Sequence, residues 1–232
     1  MTPYEKAWQA TQARIAAAAR AAGRPSNTIS LLAVSKTVAP DAVRALHALG
    51  QRAFGENYVQ EATRKREALA DLAALEWRLI GPLQSNKAKL AAETFDWVES
   101  VDRLPVALRL SGARTGGRGP LNVLVQVNVS GEASKHGVAP ADALALARDV
   151  SRLPGLTLRG IMGIPEPTPD PAVQRARFAE LRRCFEACRG AGLAVDTLSM
   201  GMSADLETAI AEGATEVRIG TALFGARAPA GA

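Results

Sequence analysis

The feature that most constrains this chain is an alternation repeated eight times. A short apolar or β-branched run is followed by a polar punctuation and then by a stretch with helical spacing. The runs are SLLAVS (30–35), RAFG (52–55), WRLIG (77–81), WVESV (97–101), LNVLVQVNV (121–129), LTLRGIMGI (156–164), VDTLSMG (195–201) and EVRIG (216–220). Helices are expected to open at Pro40-Asp41, Pro82-Leu83, Asp102-Arg103, Pro140-Ala141, Pro171-Ala172 and Ser203-Ala204, where Pro, Ser or Asp stands at a cap-like position. Strands alternating with helices over this length pair in parallel through crossover helices. Eight such units suit a closed barrel better than an open sheet. The first turn, SKTVAP, lacks the G-x-G-x-x-G of a dinucleotide fold. The expected architecture is therefore a single (β/α)8 TIM-type barrel over residues 1–232, with an extra helix before the first strand. RTGGRGP (114–120) and PEPTPDP (165–171) read as exposed loops within it, since the rhythm continues on either side.

Composition agrees. With 232 residues, 47% of them apolar, the chain can bury a full core. The net charge of +5 comes largely from arginines spread over helical stretches and concentrated in QRARFAELRRCFEACRG, which reads as a solvated face. Aromatics are only 4%, with no aromatic- and glycine-patterned strand for stacking bases, so no nucleic-acid partner is expected. Cys184 and Cys188 stand four apart on one helical stretch without histidine companions, which suits a packing pair and neither a metal site nor a disulfide framework. The Ala-rich start is bracketed by Arg14 and Arg20, too short an apolar run for a signal core or a membrane span. A cytoplasmic monomer with no membrane partner is the expectation.

In a parallel barrel the residues just after each strand converge on one mouth. Collected that way they are Lys36, Glu56-Asn57, Gln84 to Lys87, Asn128 with Lys135, Met162, Met200 to Ser203, and Arg218 to Thr221. Lys36 reads either as a side chain snorkelling from a strand end or as a reactive amine. Two further strand ends bear on that choice. SMGMSAD puts Gly201 after strand seven and Ser203 at a helix start, and RIGTALFG puts Gly220-Thr221 before another helix. Glycine admits close approach of an oxyanion, helix N-termini carry partial positive charge, and the loops after strands seven and eight are a recurrent phosphate site in barrels. Each taken alone is also an ordinary capped turn. Strand eight closes onto strand one, so an amine would face a phosphate cradle. Pyridoxal 5′-phosphate carries both an aldehyde and a phosphate.

The stretches LLAVSKT, FGENYVQE, IGPLQSNK, DWVESVDR, VLVQVNVS, LRGIMGIP, LSMGMSADLETAI and EVRIGTALFG follow one another along nearly the whole chain. In that order they resemble the pyridoxal phosphate homeostasis proteins. The resemblance implies a barrel like the N-terminal domain of alanine racemase without that enzyme's second β-domain. It implies pyridoxal 5′-phosphate held as a Schiff base on Lys36, with Ser203, Gly220 and Thr221 on the phosphate and Arg218 facing the pyridine nitrogen. Arg218 could instead be an ion pair at the mouth. Asn57 and Met162 either line the ring or simply pack. Lys135 is either a solvated loop lysine or a secondary cofactor contact. One departure is visible: Arg78-Leu79 follow Trp77 where the family is expected to carry a His-Phe pair.

A racemase needs an acid–base group opposite Lys36, and neither Tyr4 nor Tyr58 has an evident place there. An arginine at the ring nitrogen also makes a weak electron sink. The expected function is therefore intracellular pyridoxal phosphate homeostasis without catalytic residues or metal, with delivery to apoenzymes as transient partners. A pyridoxal phosphate-dependent amino-acid racemase is the alternative. A Schiff-base aldolase on a phosphosugar fits less well, because no carboxylate neighbours the lysine on its strand.

Overall fold

A computed structural model of the chain describes residues 1–114, 117–131 and 136–225. It begins with helix α1 (Pro3–Ala21), closed at its start by a capping box in which Thr2 and Glu5 satisfy each other's backbone N–H. The eight expected strands then follow: β1 (Ser30–Val34), β2 (Ala53–Glu56), β3 (Glu76–Leu79), β4 (Trp97–Val101), β5 (Leu121–Val127), β6 (Leu156–Gly163), β7 (Thr197–Ser199) and β8 (Glu216–Ile219). They are joined by α2 (Pro40–Ala48), α3 (Val59–Ala68), α4 (Ala88–Thr94), α5 (Leu104–Ala113), α6 (Ala143–Ser151), α7 (Pro171–Gly190) and α8 (Leu206–Ala211), with the single turn α9 (Thr221–Phe224) after β8. All neighbouring strands pair in parallel in the order β1 to β8, and β8 closes on β1 through Ser30 to Ala33 against Glu216 to Ile219.

Helix starts at Pro40 and Pro171 stand where the prolines place them, the second reinforced by Asp170, whose carboxylate accepts from the N–H groups of Ala172 and Val173. Three expected starts shift. Pro140-Ala141 opens a 3-10 turn, Pro140–Asp142, and α6 begins at Ala143. Pro82-Leu83 leads instead into a 3-10 turn at Ser85–Lys87, and α4 begins only at Ala88. Ser203-Ala204 lies in a turn, and α8 begins at Leu206. In that turn the Asp205 carboxylate accepts from the Met202 N–H at 2.5 Å, which holds the chain in a loop two residues longer than a Ser cap would.

Strand alternation divides the side chains between two interiors. Outward-facing residues such as Leu31, Phe54, Trp77, Leu79, Val98, Val123, Ile161, Val217 and Ile219 pack against the helices in one continuous apolar shell, which also takes in Cys184 and Cys188 on α7, both free thiols. Inward-facing residues form two small apolar groups, Leu32 with Val34 and Ile80, and Trp97 with Leu124 and Met162. Charge occupies much of the remaining barrel interior. β6 carries one extra residue at Arg159, where its register against β5 shifts. Gly160 completes this bulge at φ +148°, where a Cβ would stand 1.9 Å from the carbonyl oxygen of Thr197.

Candidate functional site

The mouth at the carboxyl ends of the strands holds a cavity of about 530 Å³. Its lining includes Lys36, Asn57, Ser203, Arg218, Gly220 and Thr221, so the structure gathers these residues around one space. Met162 is not among them. It is fully buried against Trp97 and Leu124, because it lies inside β6, which ends at Gly163, and the chain reaches the mouth only at Ile164. Lys135 lies outside the described residues. Another depression, of about 660 Å³, lies by α4 and α5; Ser85 and Asn86, expected at the mouth, line it instead, and it contains none of the residues assigned to the cofactor.

Each lining residue is held by a local device. Lys36 stands two residues beyond the end of β1, in a turn whose two flanks are tied to neighbouring elements. Asn57 follows β2 and is pressed by Gly81, where a Cβ would meet the Asn57 carbonyl oxygen at 2.3 Å. Gly81 is thus required for the loop after β3 to lie against the loop after β2. Gly201, at φ +92°, plays the same part after β7, since a Cβ there would stand 2.5 Å from that of Ala209. The turn carrying Ser203 is braced from behind by α1: Arg14 donates to the Ser203 carbonyl at 3.2 Å and makes a two-pronged contact with Glu207. The extra first helix therefore supports the site. Among the described residues no hydrogen bond engages the hydroxyl of Ser203 or of Thr221, and both residues are at least partly accessible.

Arg218 is 3% exposed, and its guanidinium donates to the Ser199 hydroxyl and to the Gly163 carbonyl, each at 2.7 Å. Beneath it lies a buried charge network. Arg78 donates to Glu216 at 2.5 Å and to Glu76 at 2.7 Å, reaches Glu99 at 3.4 Å, and stacks 3.9 Å above the Trp97 ring. Ser199 Oγ lies 2.8 Å from Glu99 and 3.0 Å from Glu216. A hydroxyl has one proton to donate, and Ser199 Oγ already accepts from Arg218. The arrangement is satisfied when Glu99 is protonated and donates to Ser199, which donates in turn to Glu216. Electrostatics favour the same assignment: burial, then Glu216, push the Glu99 carboxyl up to about 8 against the opposing pull of Arg78, Arg218 and Ser199. Burial draws Arg78 down, but Glu216, Glu99 and Glu76 together hold it above the ordinary arginine range. Burial pulls Arg218 below that range, opposed by Glu99, Glu216 and Asp205.

The family model described as alanine racemase, N-terminal domain, matches residues 8–228. A pyridoxal phosphate homeostasis protein of Pseudomonas aeruginosa is 62% identical over 215 residues, 93% of this chain and 92% of that protein. The chain belongs to the pyridoxal phosphate homeostasis protein family. PipY of Synechococcus elongatus, a structure with PLP bound, superimposes with a TM-score of 0.80 at 40% identity over 92% of this chain and 100% of that one. Alanine racemase from Corynebacterium glutamicum shares the fold alone, with a TM-score of 0.67 at 18% identity over 97% of this chain and 63% of that protein.

For this family member, several lining residues went unnoticed in the sequence: Gln126, His136, and Ile164 to Pro167. The last group qualifies the reading of PEPTPDP as an exposed loop: Pro167 and residues 169–171 are exposed, but Pro165 is buried, the Glu166 carbonyl accepts from Arg177 and the Glu166 N–H donates to the Ser130 hydroxyl. The available signal was its position immediately after β6. Arg78, the departure from the expected His-Phe pair, lies inside the barrel and does not line the cavity. The Glu99–Glu216 pair was also missed. Its signal was a carboxylate at an inward position of an otherwise apolar strand, first in WVESV and again at the start of EVRIG.

Proposed function

We propose that this protein holds pyridoxal 5′-phosphate reversibly as a Schiff base on Lys36 and passes it to apoenzymes that require it. The observation that carries the reading is the convergence of one lysine, two hydroxyls and a glycine turn across the seam where β8 closes onto β1. The residues fit the group. The cavity falls within the size range of small-ligand sites. The Ser203 and Thr221 hydroxyls are available to phosphate oxygens, and Gly220 admits close approach of the backbone. Lys36 would take the aldehyde, and Arg218 would donate a hydrogen bond to the ring nitrogen while keeping its own proton. When bound, the group supplies an aldehyde that couples reversibly to amines. The relatives support the same reading, being named for pyridoxal phosphate homeostasis, with PipY solved bearing PLP.

The rival reading, an amino-acid racemase, needs a second acid–base group across the substrate from Lys36. Neither tyrosine lines the cavity: Tyr58 is 59% exposed, and Tyr4 on α1 meets the Phe224 ring edge-on. His136 does line it, but its ring is largely exposed and lies 3.7 Å from Asp102. These positions favour holding and release over turnover.

The test is to load the protein with pyridoxal phosphate, reduce it with borohydride and map the labelled peptide, beside an apoenzyme reactivation assay and a chiral assay over common amino acids. Label on Lys36, reactivation and no turnover are expected. Label confined to another lysine overturns the attachment site, and racemisation near ~10 s⁻¹ that is lost in Lys36→Ala overturns the carrier reading.

A further inference from the structure

Lys36 stands between two residues that are both fastened to one buried lysine and its partners. On one side, Ser35 is fully buried; its N–H donates to the Gly55 carbonyl at 2.9 Å and its hydroxyl to Glu56 Oε1 at 2.6 Å. Its carbonyl accepts from the ammonium of Lys65, on α3, at 2.6 Å. On the other side, Thr37 adopts φ 58°, a left-handed conformation that is uncommon for any residue but glycine and strained for a β-branched one. The Thr37 N–H is held there by Glu61 Oε1 at 2.6 Å. Lys65 joins the two sides, donating also to Glu61 at 2.6 Å and to Glu56 at 2.8 Å. An ammonium has three protons, and here each has an acceptor.

Stability alone does not account for this cluster. Lys65 is 5% exposed and Glu56 is fully buried behind the sheet, in a shell that is otherwise apolar. Buried ion pairs of this kind are often matched or bettered by apolar residues of similar size. Among the described residues, the Glu56 carboxylate oxygen Oε2 is buried without a partner, and burial raises this carboxyl above the usual range despite Lys65 and Ser35. What an apolar replacement could not supply is a hold on the backbone at both flanks of Lys36. A lysine side chain is long and has several rotatable bonds, and capture of an aldehyde requires its amine at a defined place.

We propose that Lys65 and Glu61 are positioning residues for Lys36: they lock the Ser35–Thr37 turn so that the reactive amine points into the cavity. The proposal rests on the reading of Lys36 as the attachment site. It makes the clamp specific to the covalent step and indifferent to the phosphate grip across the β8–β1 seam.

Two ligands separate those contributions: pyridoxal 5′-phosphate, and pyridoxine 5′-phosphate, whose alcohol in place of the aldehyde cannot couple to an amine. Lys65→Met removes all three hydrogen bonds while keeping most of the side-chain volume. We expect it to slow capture of the aldehyde, followed by near-visible absorbance, by about 10- to 100-fold, and to leave the affinity for pyridoxine phosphate within about twofold. Glu61→Gln is the milder variant, should Lys65→Met fail to fold. It keeps an oxygen for Thr37 but loses the charge, and should slow capture several-fold with the same selectivity. Equal losses for both ligands would reduce the cluster to a structural support, and unchanged capture in a folded variant would also overturn the proposal. Absence of a Lys36 adduct in the unsubstituted protein would overturn the parent reading, and the clamp with it.

Discussion

The barrel wall has two faces, and they are built on opposite principles. Its outer face meets the helices through one continuous apolar shell from Ile15 to Leu223. Its inner face carries Arg78, Glu99, Ser199, Glu216 and Arg218 within hydrogen-bonding or ion-pair reach of one another, with small apolar groups alongside. Barrels of this kind are usually filled by branched aliphatic layers. The difference separates two tasks: the shell supplies non-directional burial energy, whereas the interior holds Arg218 at one height and orientation under the mouth. A charged network is costly to bury, but its geometry is defined by hydrogen bonds and not by volume alone.

That contrast can be broken from either side. The largest loss is expected in the shell, where Phe54→Ala empties the space of a fully buried ring packed 6.1 Å from Trp77. It should cost about 3–5 kcal/mol in denaturant unfolding, with ligand affinity of the folded fraction little changed. Retention of near wild-type stability would mean that the shell does not dominate.

Next comes Arg78→Met, which leaves Glu216 and Glu76 without their cation. We expect about 3 kcal/mol, toward the low end for a buried pair broken on one side, because Glu99 already carries a proton and needs no partner charge. Adding Glu216→Gln should recover part of the loss, and a double-mutant cycle measures how much. Additive losses would show that the two residues are not coupled.

A smaller effect at neutral pH, but a distinctive one, is expected from Glu99→Gln, close in shape to the protonated acid; the change should stay within about 1 kcal/mol. Its signature is in the pH profile. The folded carboxyl sits near 8, above its ordinary value of 4.5, so between those values the native state holds a proton that the unfolded state has released. This group's contribution is fully present below the unfolded value and is lost as pH rises toward about 8, at a slope of up to ~1.4 kcal/mol per pH unit. Glu99→Gln should remove that slope, read from denaturation midpoints between pH 5 and 8. An unchanged profile would assign the proton elsewhere.

The smallest change is expected outside both faces. The Arg14–Glu207 pair is 41% and 52% exposed, so Glu207→Gln should alter stability by less than about 0.5 kcal/mol and by less still in high salt. A larger loss would mean that α1 supports the Ser203 turn mainly through this contact.

The eight strands, their parallel order and the extra first helix were all legible in the sequence, because period, length and punctuation are local properties that each segment carries by itself. The places of Lys36, Asn57, Gly220 and Thr221 at the mouth were legible for a related reason: in a barrel, the position at a strand's carboxyl end is already a position in space, and Arg218 inside β8 and Ser203 in the turn beyond β7 reach the same mouth. Met162 shows the limit of that rule. Its place inside β6 turns it into the interior, and strand ends are set by pairing with neighbours that a local pattern does not contain. The loop after β6 came out as a cavity wall through its anchors to Ser130 and Arg177, neither of them adjacent in sequence. The same holds for the two buried charge clusters. Glu99 and Glu216 are 117 residues apart and Ser35 and Lys65 are 30 apart. Whether such residues are solvated on a surface or share a proton inside is decided only when closure of the barrel removes the water between them.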